Sequence, residues 1–157
     1  MKKLSVGSLI ISILTAELVG VLSGLLSGNF KEVYQMIDQP PLSPPGWAFP
    51  IVWTVLYALM GTAAYLITRT LADSKQKQDA LLFYAVQLLV NFLWSIVFFR
   101  FEQFGISVAV ILLLDILVLI TIVKFFQINK IAAYLLIPYF LWILFATYLN
   151  IGVYLLN

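Results

Sequence analysis

The sequence predicts an all-α integral membrane protein, a five-transmembrane-helix bundle forming a single domain over residues 1–157. Two observations carry that expectation. Hydrophobic residues make up 63% of the chain and charged residues 10%, whereas a soluble domain carries about 25% charged residues. A mean hydropathy of +1.05 agrees. The apolar residues also fall into five runs, each near the about 20 residues needed to cross a hydrocarbon core of ~30 Å. No internal repeat or low-complexity tract divides the chain.

The first run, Leu4–Leu26, is interrupted only by Glu17. Lys2 and Lys3 precede it, as they would in a signal peptide. The run exceeds the about 7–15 apolar residues of such a segment and shows no small-x-small cleavage site, so it is read as a retained helix. It carries Gly20, Gly24 and Gly28 at a spacing of four, a small-xxx-small stripe that permits close helix approach. An internal contact against Gly61 or Ala64 is expected of this stripe, with a dimer face as the alternative. The connection over residues 27–46 contains Pro40, Pro41, Pro44 and Pro45 and cannot be continuous helix. Trp47–Thr68 is uncharged between its ends, and Ala80–Phe99 sits between Asp79 and Arg100. Phe104–Val123 holds one acid, Asp115, and Ile131–Leu156 holds no charge.

Five spans place the two ends of the chain on opposite sides. One side carries Lys2, Lys3, Arg69, Lys75, Lys77, Lys124 and Lys130, and the other only Lys31 and Arg100. Basic residues concentrate on the cytoplasmic side of membrane proteins. The N-terminus is therefore expected in the cytoplasm, with the proline-rich loop and the C-terminus outside, in a multi-pass protein of a bacterial cytoplasmic membrane.

Composition also removes several kinds of chemistry. There is no Cys, hence no thiolate nucleophile, cysteine zinc site or iron–sulfur cluster. There is no His, hence no Ser-His-Asp triad and no axial histidine for a haem. No metal site and no resident cofactor are expected. A net charge of +2 is too small for the many phosphate contacts of a nucleic-acid binder, so no nucleic-acid partner is expected.

At 1.5 Å per residue, most of the unusual side chains fall in the outer half of the bundle, under the proline-rich loop. Trp53 and Tyr57 are spaced i, i+4 and share a helix face; Asn91 and Trp94 share another at i, i+3. Pro138, Trp142, Ala146 and Asn150 step by four along the last span, with Ala146 leaving room beside Trp142. A concave, mostly apolar pocket with a few placed polar groups suits a flat aromatic ligand. The plainer alternative is that these aromatics are ordinary membrane-helix residues, that Trp47 is an interfacial anchor, and that each Asn bonds a neighbouring helix. Glu17 and Asp115 lie near mid-span, where a charge costs at least about 2.5–3.5 kcal/mol. Each is a candidate proton site or ligand donor; the alternative is a neutral carboxyl bonded to another helix.

Residues 44–57, Pro-Pro-Gly-Trp-Ala-Phe-Pro-Ile-Val-Trp-Thr-Val-Leu-Tyr, followed by Met60-Gly61, closely resemble the second-helix signature of the TspO/MBR family, the translocator proteins or peripheral-type benzodiazepine receptors. Asn91-x-x-Trp94 running to Phe98-Phe99 resembles their third helix. Pro138-Tyr139-x-x-Trp142-x-x-Phe145-Ala146-Thr147-x-Leu149-Asn150 resembles their fifth. The resemblance covers essentially the whole chain. It implies a five-helix bundle, commonly a homodimer in membrane lipid, with a pocket capped by the first long loop. The implied ligands are porphyrins such as protoporphyrin IX and haem, and benzodiazepine-type drugs. Pocket positions that match by motif are Tyr34, Pro44, Trp53, Tyr57, Asn91, Trp94, Trp142, Ala146 and Asn150. Some bacterial members support light-dependent breakdown of protoporphyrin, and the two tryptophans tied to it match Trp53 and Trp142. The only enzymatic activity implied is thus photo-oxidative. Transport of tetrapyrroles or other small hydrophobic molecules, proton-linked or passive, and stress sensing are the alternative roles. The animal sterol motif requires a basic residue after a fifth-helix Tyr, and none follows Tyr148 or Tyr154, so a sterol partner is not implied by it. The family's acid early on the fourth helix falls at Val110, so its role does not pass to Asp115.

Overall fold

The computed structural model describes all 157 residues. It is entirely helical: α1 (Val6–Leu26), α2 (Phe30–Met36), α3 (Ala48–Arg69), α4 (Ser74–Ser95, continued by one π-helical turn over Ile96–Arg100), α5 (Phe104–Ile128) and α6 (Lys130–Leu156). All but α2 are long and apolar enough to cross a membrane. Their outward faces are apolar too, with Leu14, Leu18, Leu22 and Leu25 of α1 all exposed. This is the surface that hydrocarbon, rather than water, would cover.

Two helices outrun the apolar stretches that announce them. α4 starts at Ser74 rather than near Ala80, because the Asp73 carboxylate caps it by accepting from the Gln76 N–H at 3.1 Å. α5 runs on to Ile128 and stops at Asn129, whose side chain then caps α6 by accepting from the Ala132 N–H at 3.1 Å. The loop expected over residues 27–46 contains the short helix α2. Asn29 caps it, accepting from the Glu32 N–H at 3.3 Å and donating to the Glu32 carboxylate at 2.9 Å. The prolines confine this helix to the N-terminal part of the loop.

Neighbouring helices form a closed ring in the order α1, α3, α6, α5, α4 and back to α1. The solid core lies toward the end that carries Arg69, where Met60, Ile67, Phe125 and Leu136 have at most 1% of their surface exposed. There α1 and α3 touch backbone to backbone. A Cβ placed on Gly61 would lie 2.6 Å from Ile13 Cα, and the Ser12 hydroxyl donates to the Gly61 carbonyl at 2.7 Å. The partner of Gly61 is therefore the Ser12–Ile13 backbone and not the glycine stripe of α1. Of that stripe, Gly20 rests on the Tyr57 ring, Gly24 has nothing near it, and Gly28 lies beyond the helix at φ +81°.

At the opposite end, which carries the proline-rich loop, α1 leans on α4 instead. The Ser23 hydroxyl donates to the Phe92 carbonyl at 3.2 Å, and Arg100 donates to the Leu26 carbonyl at 3.1 Å. The helices enclose a space there.

Candidate functional site

The space is a cavity of about 320 Å³ at the loop end of the ring. Glu17, Gly20 and Gly24 form its α1 wall; Trp53 and Tyr57 come from α3, Asn91 and Trp94 from α4, and Trp142 and Ala146 from α6. Each pair comes from the helical spacing that puts both members on one face. The glycines of α1 and Ala146 leave the volume that larger side chains would fill. Val21 and Gly24 on α1, with Pro50 and Thr54 on α3, line the cavity and are exposed on the outside of the bundle. The cavity thus opens sideways between the loop-end halves of α1 and α3.

A fully buried polar network forms its floor. The Asn91 amide donates to the hydroxyls of Tyr57 (3.3 Å) and Tyr139 (3.1 Å), and Tyr139 donates to the Gln87 side-chain oxygen at 2.6 Å. Amides and hydroxyls in hydrocarbon need such partners. The network fixes the Tyr57 ring, against which Trp53 lies with centroids 5.6 Å apart. Trp142 is held differently: Phe49 meets it edge-on at 5.8 Å, and its indole N–H is buried with no hydrogen-bond partner.

Aromatic rings also build the cover. Phe30 of α2 packs on Phe49 (5.4 Å) and on Phe99 (4.9 Å), and it stacks on Tyr34 at 5.5 Å. The Tyr34 hydroxyl donates to the Pro44 carbonyl, tying α2 to the proline-rich segment that leads into α3. Burial pushes the Tyr34 phenol above its ordinary value of 10, partly offset by the nearby Ser43 hydroxyl. The remainder of the loop is strapped to α6: Tyr148 donates to the Pro41 carbonyl at 2.7 Å, and Asp38 and Asn157 exchange two hydrogen bonds.

Six of the nine motif-matched positions therefore meet at the cavity wall: Trp53, Tyr57, Asn91, Trp94, Trp142 and Ala146. Tyr34 and Pro44 lie in the cover, one ring removed from the space. Asn150 lies behind the wall with both ends of its amide occupied. Its oxygen accepts from the Trp94 indole N–H at 2.8 Å, and its nitrogen donates to the Ser107 hydroxyl (2.9 Å) and the Phe104 carbonyl (3.2 Å). It orients Trp94 from outside the cavity.

Of the two membrane acids, Glu17 lines the cavity and Asp115 does not. Asp115 sits at the α5–α6 seam, where the Thr147 hydroxyl donates to one carboxyl oxygen at 2.8 Å and the other is buried without a partner. Three contributors are not among the expected site positions: Gln87, Tyr139 and the Phe30–Phe49–Phe99 cluster. Gln87 carried a usable signal, a polar residue four before Asn91 in an apolar run. Phe49 and Phe99 fall within the matched motifs, whereas Phe30 carried no signal, being indistinguishable from a lipid-facing phenylalanine. The wall has no His or Cys and a single carboxylate, Glu17; what it presents to the space is aromatic ring faces and isolated hydrogen-bonding groups.

Comparison with known proteins agrees with the motifs. The profile of the TspO/MBR family matches residues 12–156. The chain is 40% identical over 126 residues to the tryptophan-rich sensory protein of Cereibacter sphaeroides, covering 80% of this chain and 77% of that one. It is 37% identical over 150 residues to the tryptophan-rich protein TspO of Archaeoglobus fulgidus, covering 92% and 96%. The human translocator protein is 34% identical over 129 residues, covering 82% and 76%. Five membrane-length helices, a roofed aromatic cavity and a profile match over nearly the whole length establish that this multi-pass membrane chain belongs to the TspO/MBR family.

Proposed function

We propose that this protein is a membrane receptor for planar tetrapyrroles, protoporphyrin IX and haem among them, and for drug-sized aromatic ligands of the benzodiazepine type. The observation that carries the reading is the convergence of Trp53, Trp94, Trp142 and Tyr57 on one cavity. Flat rings offer area and a preference for planar partners. The indole N–H of Trp142 is buried and lacks a partner in the protein, so an acceptor on the ligand would satisfy it once the wall yields. The cavity volume is at the low end of the ~300–1,000 Å³ usual for small-molecule sites, so a tetrapyrrole requires the α1 wall to yield. The sideways opening and the sparse burial of α1, with only Ala16 and Ser23 buried, suit that movement.

Seven basic residues against two favour a cytoplasmic N-terminus and an external loop end in a bacterial cytoplasmic membrane. A homodimer is part of the same proposal. With one carboxylate and no His or Cys on the wall, the chemistry proposed is photo-oxidative, its participants being light-excited porphyrin, dioxygen and the indoles of Trp53 and Trp142.

Quenching of tryptophan fluorescence by protoporphyrin IX measures binding, and loss of porphyrin absorbance under illumination measures degradation. Trp53→Phe and Trp142→Phe are expected to weaken the first and slow the second. Saturable binding without any protein-dependent bleaching would leave a receptor and discard the photochemistry. Absence of saturable binding would discard the reading.

A further inference from the structure

Glu17 is a wall residue that tetrapyrrole stacking leaves without a task. It sits near the middle of α1, on the face that Gly20 turns to the Tyr57 ring. Its carboxyl makes no ion pair, the single salt bridge of the molecule being Lys124–Asp79 on the surface. No Lys or Arg lines the cavity to balance it. The neighbouring Asn91 amide donates instead to the hydroxyls of Tyr57 and Tyr139.

An unpaired carboxylate at membrane depth seeks positive charge or a proton. The rings around it ask for the same thing, because the face of an indole or phenol carries negative potential and attracts cations, most strongly when water is excluded. The flat walls of Trp53 and Tyr57 add the demand for a planar partner. Charge and shape thus select one chemical class.

We propose that Glu17 makes this cavity a receptor for planar aromatic cations, the carboxylate pairing with the positive ring system while Trp53 and Tyr57 stack on it. This rests on the cavity being a ligand site, as in the function proposed above, and not on the ligand being a porphyrin.

The test uses the full chain in uncharged detergent micelles and two probes of nearly equal shape, the cation 10-methylacridinium and the neutral 9-methylanthracene, each followed by tryptophan quenching. Glu17→Gln is expected to weaken the acridinium at least 10-fold and the anthracene less than 2-fold; Glu17→Asp, which restores the charge, is expected to recover most of the difference. Comparing the two probes across variants cancels their different partition into micelles. An equal effect of Glu17→Gln on both probes, or an effect on neither, overturns the proposal. Protoporphyrin IX is titrated in parallel: its binding by Glu17→Gln reports an intact cavity. Protoporphyrin binding with no Glu17-dependent preference for the cation refutes this inference alone. Glu17-dependent cation binding with no protoporphyrin binding refutes the tetrapyrrole reading alone.

Discussion

Replacing Asn150 by Leu, a residue of similar bulk, separates a structural amide from a ligand-facing one. The substitution removes three hydrogen bonds, to the Trp94 indole, the Ser107 hydroxyl and the Phe104 carbonyl, which together link α4, α5 and α6. Interhelical hydrogen bonds in membranes average about 0.6 kcal/mol and reach about 1.7, so the loss is expected near ~2 kcal/mol with a ceiling near ~5. Trp94→Phe removes one of the three. The double-mutant cycle joining the two changes should therefore show a coupling of about 0.6–1.7 kcal/mol. Reversible unfolding in mixed micelles, followed by far-UV circular dichroism, supplies the four stabilities. Additivity within ~0.3 kcal/mol would mean that the Trp94–Asn150 bond carries no stability. Unchanged stability together with a large loss of protoporphyrin affinity would mean that the amide faces the ligand after all.

Other expectations follow from single contacts. Gly61→Ala puts a methyl 2.6 Å from the Ile13 Cα; overpacking of this kind costs ~1–3 kcal/mol and lowers the thermal midpoint, and an unchanged midpoint would deny the close α1–α3 approach. Asp79→Asn breaks the exposed pair with Lys124 and should change stability by less than ~1 kcal/mol in the same assay; a larger loss would mark the pair as structurally important. Tyr34→Phe removes the donor to the Pro44 carbonyl, at a cost of about 1 kcal/mol. The pH dependence of that difference has a defined sign. The folded phenol is held above 10, so the unfolded chain ionises first, and the contribution of Tyr34 is full below pH 10 and declines as pH rises through the folded value. Thermal midpoints of wild type and variant across alkaline pH check it, and a contribution already fading below pH 10 would contradict the burial of the ring.

Membrane helices announce themselves through apolar length, which is why all five spans and their order were legible from Leu4 to Leu156. Capping depends on single side chains, and the caps at Asp73 and Asn129 moved two helix ends by several residues. α2 was overlooked because four prolines dominate residues 27–46, although Asn29 and Glu32 at a spacing of three mark its start. The wall residues of α3, α4 and α6 were readable because i, i+3 and i, i+4 spacing fixes a shared face. What an amide bonds to is a three-dimensional matter. Asn91 and Asn150 look alike along the chain, at similar depth and on helices of similar hydropathy. One faces the space and the other a tryptophan's back. The glycine stripe was misleading for a related reason: small residues permit close approach, but the chain alone does not say whether a helix or an empty volume takes advantage of it.

The gap between α1 and α3 faces the fatty-acid tails rather than bulk water. A hydrophobic ligand of the class proposed would enter from the oil phase, and for a ligand that partitions strongly into lipid its mole fraction among the acyl chains is the practical measure of its activity. Diluting the protein in more lipid at constant total ligand should empty the site, because the ligand's mole fraction in the lipid falls and its aqueous concentration falls with it. Apparent dissociation constants will then follow the lipid-to-ligand ratio, and comparisons between relatives become meaningful only when that ratio is held fixed.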